Sequence, residues 1–211
     1  MISIVVLDPY EQFLQFLDPE LCELKENDKV DGLKTLELEY KFQDAAEDKN
    51  LFRIGNKIWV QGDVNLSDCL YVINTSVKQS VFKDNSFTLE AEEVLVELNY
   101  APLVSHTDLL TKECFKTKTI NDELTVRIDW NSLNEWFGEY FNIGVVQECL
   151  SDYVSYVPFT GTMTLMSLIR LIEEETGNVF VTRYEKDILS NEIHRYLDFL
   201  NPINVNKNWT I

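Results

Sequence analysis

The stretch Thr35–Phe42, "TLELEYKF", alternates without a break. Leu36, Leu38, Tyr40 and Phe42 fall on one side, and Glu37, Glu39 and Lys41 on the other. Successive side chains leave a β-strand on opposite faces, so this pattern predicts a strand with one face buried and one wet. The surrounding segments extend that reading into a sheet. "ISIVVL" (2–7), "KIWVQG" (57–62), "CLYVINTSV" (69–77) and "SFTLEA" (86–91) read as further strands. Gly55-Asn56, Gly62-Asp63 and Asp84-Asn85 supply turn chemistry between them. Short strands at this spacing predict a compact barrel or a strongly bent sheet. In "AEEVLVELNY" (91–100), Val94, Leu95 and Leu98 are spaced for a short helix packed on the sheet, with continued strand as the alternative.

Pro102 marks an expected boundary, and the pattern changes beyond it. "TINDELTVRIDW" (119–130) predicts a strand, with Leu124, Val126 and Ile128 in alternation. In "SLNEWFGEYFN" (132–142), Leu133, Trp136, Phe137, Tyr140 and Phe141 share one helical face. Ser132 and Glu135 have capping-box spacing, which would satisfy free N–H groups at the helix start. The aromatic face reads as core, with a partner groove as the alternative. "TLMSLIRLIEEETG" (164–177) is a second helix, with Thr164 as N-cap, an apolar stripe from Leu165 to Ile172, and Gly177 as its stop. Glu173–Glu175 oppose the helix dipole and read as a solvated turn, or as a seat for an outside partner. "NVFVTRY" (178–184) and "EIHRYLDFL" (192–200) predict a hairpin turning near Asp187–Asn191. The last residues, "NPINVNKNWTI", continue a β-like pattern up to the final Ile, and we expect a longer natural protein.

The totals limit the functions to consider. The chain has 211 residues, 45% hydrophobic and 12% aromatic, enough for a real core. Its net charge is −18, spread as 20 acidic and 9 basic residues in 1–100 and 16 and 9 in 101–211. A surface this negative repels phosphate backbones, so stable nucleic-acid binding is not expected. The same sign suits a channel through which DNA passes without sticking, as it suits any soluble acidic surface. There is no membrane-spanning apolar run and no signal-peptide pattern. Cys22, Cys69, Cys114 and Cys149 stand far apart in apolar contexts, without CxxC spacing, and read as small buried hydrophobes in a reducing compartment. Phosphate-binding glycine loops, HExxH and G-x-S-x-G are missing. His106 reads as a loop residue. The adjacent acids Glu92-Glu93 would point apart on a strand or helix, so they read as a solvated face rather than as a catalytic carboxylate pair. We therefore expect no catalytic, cofactor-binding or metal-binding residues.

The blocks "GNKIWV", "DCLYVINTSV", "EEVLVELNYAPL", "DWNSLNEWFGEYFNIG", "GTMTLMSLIRLIEEETG", "FVTRYEKD" and "RYLDFLNP" cover nearly the whole chain. In this order they resemble the N-terminal region of phage minor structural proteins, the tail-associated lysin or prophage endopeptidase tail family. The resemblance implies an α+β, baseplate-hub-like protein: a β-rich, barrel-like tube domain over 1–100, then a mixed α/β domain over 101–211 that is incomplete. It also implies a homotrimer at the virion tail tip, made in the host cytoplasm. There it would plug or adapt the tail tube to the host-contacting device, beside distal tail, tail-tube and tape-measure proteins. Any peptidoglycan-degrading activity would lie in a C-terminal part beyond this chain. Trp59, Asp63, Asp68, Trp136 and Tyr140 are the expected subunit or partner interface. Trp59, Leu70 and Tyr71 would hold the tube wall rigid. The alternatives are a peptide- or carbohydrate-binding module using the aromatic face at 136–141, and the non-catalytic part of a cell-wall hydrolase.

Overall fold

A computed structural model describes residues 2–28, 33–41, 51–62, 68–74, 86–101, 118–120, 123–147, 152–158, 163–187 and 192–201. The fold is mixed and strand-rich, α+β in class. Its contacts divide into two compact units, residues 1–96 with 184–193, and residues 97–183 with 194–211.

The first unit is built on one antiparallel sheet. Its strands are β1 (Ser3–Leu7), β2 (Phe13–Leu17), β3 (Cys22–Asp28), β4 (Lys34–Lys41), β5 (Lys57–Gln61), β6 (Cys69–Val72) and β7 (Ser86–Glu93). They lie in the order β2-β1-β5-β6-β7-β4-β3. The alternation in β4 is realised: Leu36, Leu38 and Tyr40 are buried, while Glu37 and Lys41 are exposed. Phe42 lies outside the described residues. The inner strands β1, β5 and β6 do not alternate, because both their faces are covered. Ile4–Leu7, Ile58–Val60 and Cys69–Tyr71 are all buried.

Of the two forms expected from the strand spacing, a compact barrel or a strongly bent sheet, no closed barrel is seen among the described residues. Among the described residues no ladder joins β2 to β3, so the sheet has two free edges. Each edge strand is the outer arm of a hairpin, β1–β2 or β3–β4, and its hydrogen bonds are made to its own inner neighbour. At the turn before β5, Gly55 adopts φ +92, the left-handed region that a glycine enters at little cost. The Asp84-Asn85 turn lies outside the described residues. Val94–Asn99 forms a 3-10 helix with Val94, Leu95 and Leu98 buried, as their spacing predicts.

The second unit contains β8 (Lys118–Ile120), β9 (Glu123–Ile128), α1 (Trp130–Phe137), β10 (Asn142–Val146), β11 (Ser155–Pro158) and α2 (Leu165–Thr176), with β12 (Val179–Lys186) and β13 (Ile193–Leu200) completing the chain order. One sheet runs β11-β9-β8 and another β10-β13-β12, in which β10 is parallel to β13. The far ends of β12 and β13 belong to the first unit. At their turn the Asp187 N–H donates to the Glu192 carbonyl at 2.9 Å.

Helix α1 corrects one expectation. Its N-cap is Asp129, whose side chain accepts the Ser132 N–H at 3.0 Å, and Ser132 sits within the first turn. The Ser132 hydroxyl donates to the same carboxylate at 2.8 Å. The helix starts where β9 ends, so the first residue with extended backbone and a suitable side chain becomes the cap. Gly138 is its C-cap, and Tyr140 and Phe141 lie beyond the helix. Asp129→Ala is expected to lower stability by about 1 kcal/mol, read as a shift in urea midpoint at constant slope.

Helix α2 follows its sequence signals. Thr164 Oγ1 accepts the Ser167 N–H at 3.2 Å. Gly177 adopts φ +67 and returns its N–H to the Glu173 carbonyl at 2.8 Å. Leu165, Met166, Leu168, Ile169 and Ile172 form the buried stripe.

Candidate functional site

Of the five expected interface residues, Trp59 and Trp136 are core residues of their own units. Trp59 is 2% exposed, packed in β5 between Val5 and Leu70 of the neighbouring strands. A residue so enclosed cannot touch a partner, so Trp59 acts through the core. Asp63 lies outside the described residues. Asp68 is exposed, but its carboxylate accepts the Gly62 N–H at 2.8 Å and so fastens the β5–β6 turn. Trp136 and Phe137 are buried in the second unit, with Tyr140 half-buried. Of the aromatic residues expected on one helical face, Trp136, Phe137 and Phe141 are core and Tyr140 alone reaches the surface in part.

Sequence reasoning missed a buried polar cluster in the first unit. At the end of β7, Glu93 is 0% exposed. The Tyr184 hydroxyl donates to it at 2.7 Å, and the Lys34 backbone N–H approaches its other oxygen at 3.3 Å. The Tyr184 ring meets the Trp59 ring edge-on at 6.3 Å. The ammonium of Lys34 lies 3.6 Å from Glu26. Burial pushes the Cys69 thiol and the Tyr71 phenol well up. For Cys69 the nearby Glu93 charge adds to this, and for Tyr71 the nearby Cys69 and Glu26 do. Both side chains therefore stay protonated at neutral pH. Cys69, Tyr71 and Glu93 are all shut off from solvent. Their chemistry is that of a sealed polar knot joining β6, β7 and β12.

Cys22 lies in the edge strand β3, where burial and then the charge of Asp18 push its thiol up to about 12. Cys114, Cys149 and His106 lie outside the described residues. Alkylation by iodoacetamide near pH 8 is expected to leave Cys69 untouched in the folded protein. Cys22 should react about a thousandfold more slowly than an unhindered thiol, because the thiolate is the reacting species. Peptide mass mapping of native and unfolded samples reads both outcomes.

The wet face of β3, β4 and β7 carries an open groove of about 240 Å³. Asn27, Thr35, Glu37, Asn74, Glu90 and Glu92 line it. Glu37 stands directly opposite Glu90, an unfavourable like-charge pair, with Lys25 opposite Glu37 on the other side. The Asn74 amide donates to Glu92. The carboxylates of Glu37, Glu90 and Glu92 give this surface a negative charge. Among the described residues no group of His, Cys, Asp and Glu is arranged to hold a metal ion.

In the second unit the polar groups tie strands together. Asp198 of β13 accepts Arg183 Nε at 2.8 Å and the Val145 N–H at 2.7 Å. The Arg183 guanidinium lies over the Tyr196 ring at 4.4 Å. A Cβ on Gly144 would overlap Asp198 Oδ1, so only glycine lets β10 approach this carboxylate. Arg195, largely buried, pairs with Glu97 at 3.0 Å. The acids ending α2 find partners within the chain: Glu173 pairs with Arg170 at 2.8 Å, and Glu175 accepts the Tyr153 hydroxyl at 2.6 Å. Among the described residues no helix is long and apolar enough to cross a membrane. No protein-family model matches the chain, and no curated protein matches it.

Proposed function

We propose that the chain is a non-catalytic building block of a phage or prophage tail tip, a baseplate-hub-like subunit that adapts the tail tube to the host-contacting device. In this reading the seven-stranded sheet is one segment of a tube wall that three copies of the chain build together. The observation that carries it is the way ionisable groups are used. Glu93 is spent on a sealed contact in the first unit, and Asp198 and Arg195 on part-buried ties between elements of the second. Such investment makes a stiff scaffold and leaves no reacting group at the surface of these clusters. The order of the sequence blocks supports the resemblance to that family, and the spread negative charge suits a lumen that DNA traverses.

Gold-labelled antibody against the chain should decorate the tail tip of purified virions in electron micrographs. Counting the labelled chain in purified virions should give three copies per tail tip. Labelling elsewhere on the virion, or cell-wall zymogram activity residing in residues 1–211, overturns the reading.

A further inference from the structure

The two edges of the seven-stranded sheet are built differently. β3 carries Glu23, Lys25, Glu26 and Asn27, and charged side chains of this kind discourage another strand from pairing. β2 reads "FLQFL" and carries no charge at all. Among the described residues nothing pairs with its outer side. Phe13 is 48% and Phe16 60% exposed, and Leu14 is exposed as well.

The register explains how these side chains gather. Val6 pairs with Gln15, but Leu7 pairs with Phe13, so Leu14 is an extra residue, a bulge. In an unbroken strand Phe13 and Phe16 would point to opposite faces. The bulge absorbs one residue and brings them to the same face, opposite Leu7 and Val5. Their rings meet at 4.9 Å. The result is one apolar spot on an open edge, where an extended chain can set alternate side chains against both rings.

The charge around this spot is mainly negative. No Lys or Arg precedes Lys25, while Asp8, Glu11, Asp18, Glu20 and Glu23 do. The Lys57 ammonium offsets Glu11 at 2.8 Å, and Asp18 and Glu20 remain exposed beside the strand. A second copy would bring its own acids to this edge, in a chain of net charge −18. We propose that the β2 edge docks an extended segment of a different protein, apolar at its centre and flanked by Lys or Arg. The inference does not depend on the tail-tip reading.

The test uses the full chain and two fluorescein-labelled peptides of alternating Val and Thr, one capped by Lys at both ends and one by Glu. Anisotropy titration should show binding of the Lys-capped peptide, with at least about tenfold weaker binding of its Glu-capped twin. Rising salt should narrow that difference, since the flanking charges are exposed. Phe16→Ser, at an exposed position that leaves the core intact, should weaken the Lys-capped peptide about tenfold. Equal affinity for the two peptides, no binding of either, or indifference to Phe16→Ser overturns the proposal. So does sedimentation showing that the chain self-associates through Phe16, which would make a second copy the occupant.

Discussion

Trp59→Ala is expected to lower the unfolding free energy by about 3–5 kcal/mol, the range for removing a large aromatic side chain from a packed interior. Typical domains have only about 5–15 kcal/mol in hand, so much of the first unit's stability is at stake. The effect is large because Trp59 is 2% exposed and packs in the middle of the sheet, touching cross-strand neighbours on two sides. The loss also removes the edge-on contact with Tyr184, whose hydroxyl serves the buried Glu93. Urea unfolding followed by circular dichroism measures it. Trp59→Phe should recover part of the loss, because it refills some of the cavity. An interface role predicts the opposite pattern: unchanged stability of the isolated chain and weakened assembly. A loss below about 1 kcal/mol would restore that role.

Gly144→Ala is the second large effect, expected at about 2–4 kcal/mol in the second unit. The added methyl group would occupy the position of Asp198 Oδ1. The carboxylate must then move, giving up the Val145 N–H and loosening its pair with Arg183. Val145 is 52% exposed, so its N–H can turn to water, and the main cost lies in moving the buried Asp198 carboxylate off its partners. The explanation makes a second demand. Once Asp198→Ala has removed the obstructing oxygen, adding Gly144→Ala should cost little more, so the two losses should not add. Additive losses would show that the glycine is needed for another reason.

The candidate site was less legible in the sequence than the elements around it. Trp59 and Trp136 stood out as large aromatic residues in unusual blocks, and large aromatics occur both in cores and at interfaces; composition does not separate the two. Burial separates them, and it depends on which strands and helices come to lie above them. Glu93 gave no signal, being one of two adjacent acids at the end of a strand. Its partner Tyr184 lies 91 residues further on. The edge strand β2 gave no alternation, because its pattern is broken by the bulge at Leu14, which exists only in the pairing with β1.

What the sequence settled by itself is local. Alternation of Leu36, Leu38 and Tyr40 set β4 and its buried face, and Thr164 and Gly177 set both ends of α2. These signals act through a residue's own backbone preferences and its near neighbours, so they survive without the rest of the fold. What the tertiary structure alone decided is pairing: the strand order that leaves the sheet open, the sealing of Glu93 and the exposure of Phe13 and Phe16. Each of these depends on hydrogen bonds and contacts between segments far apart in the chain. Their free energy arises only once both segments are in place, and no short window of sequence contains it.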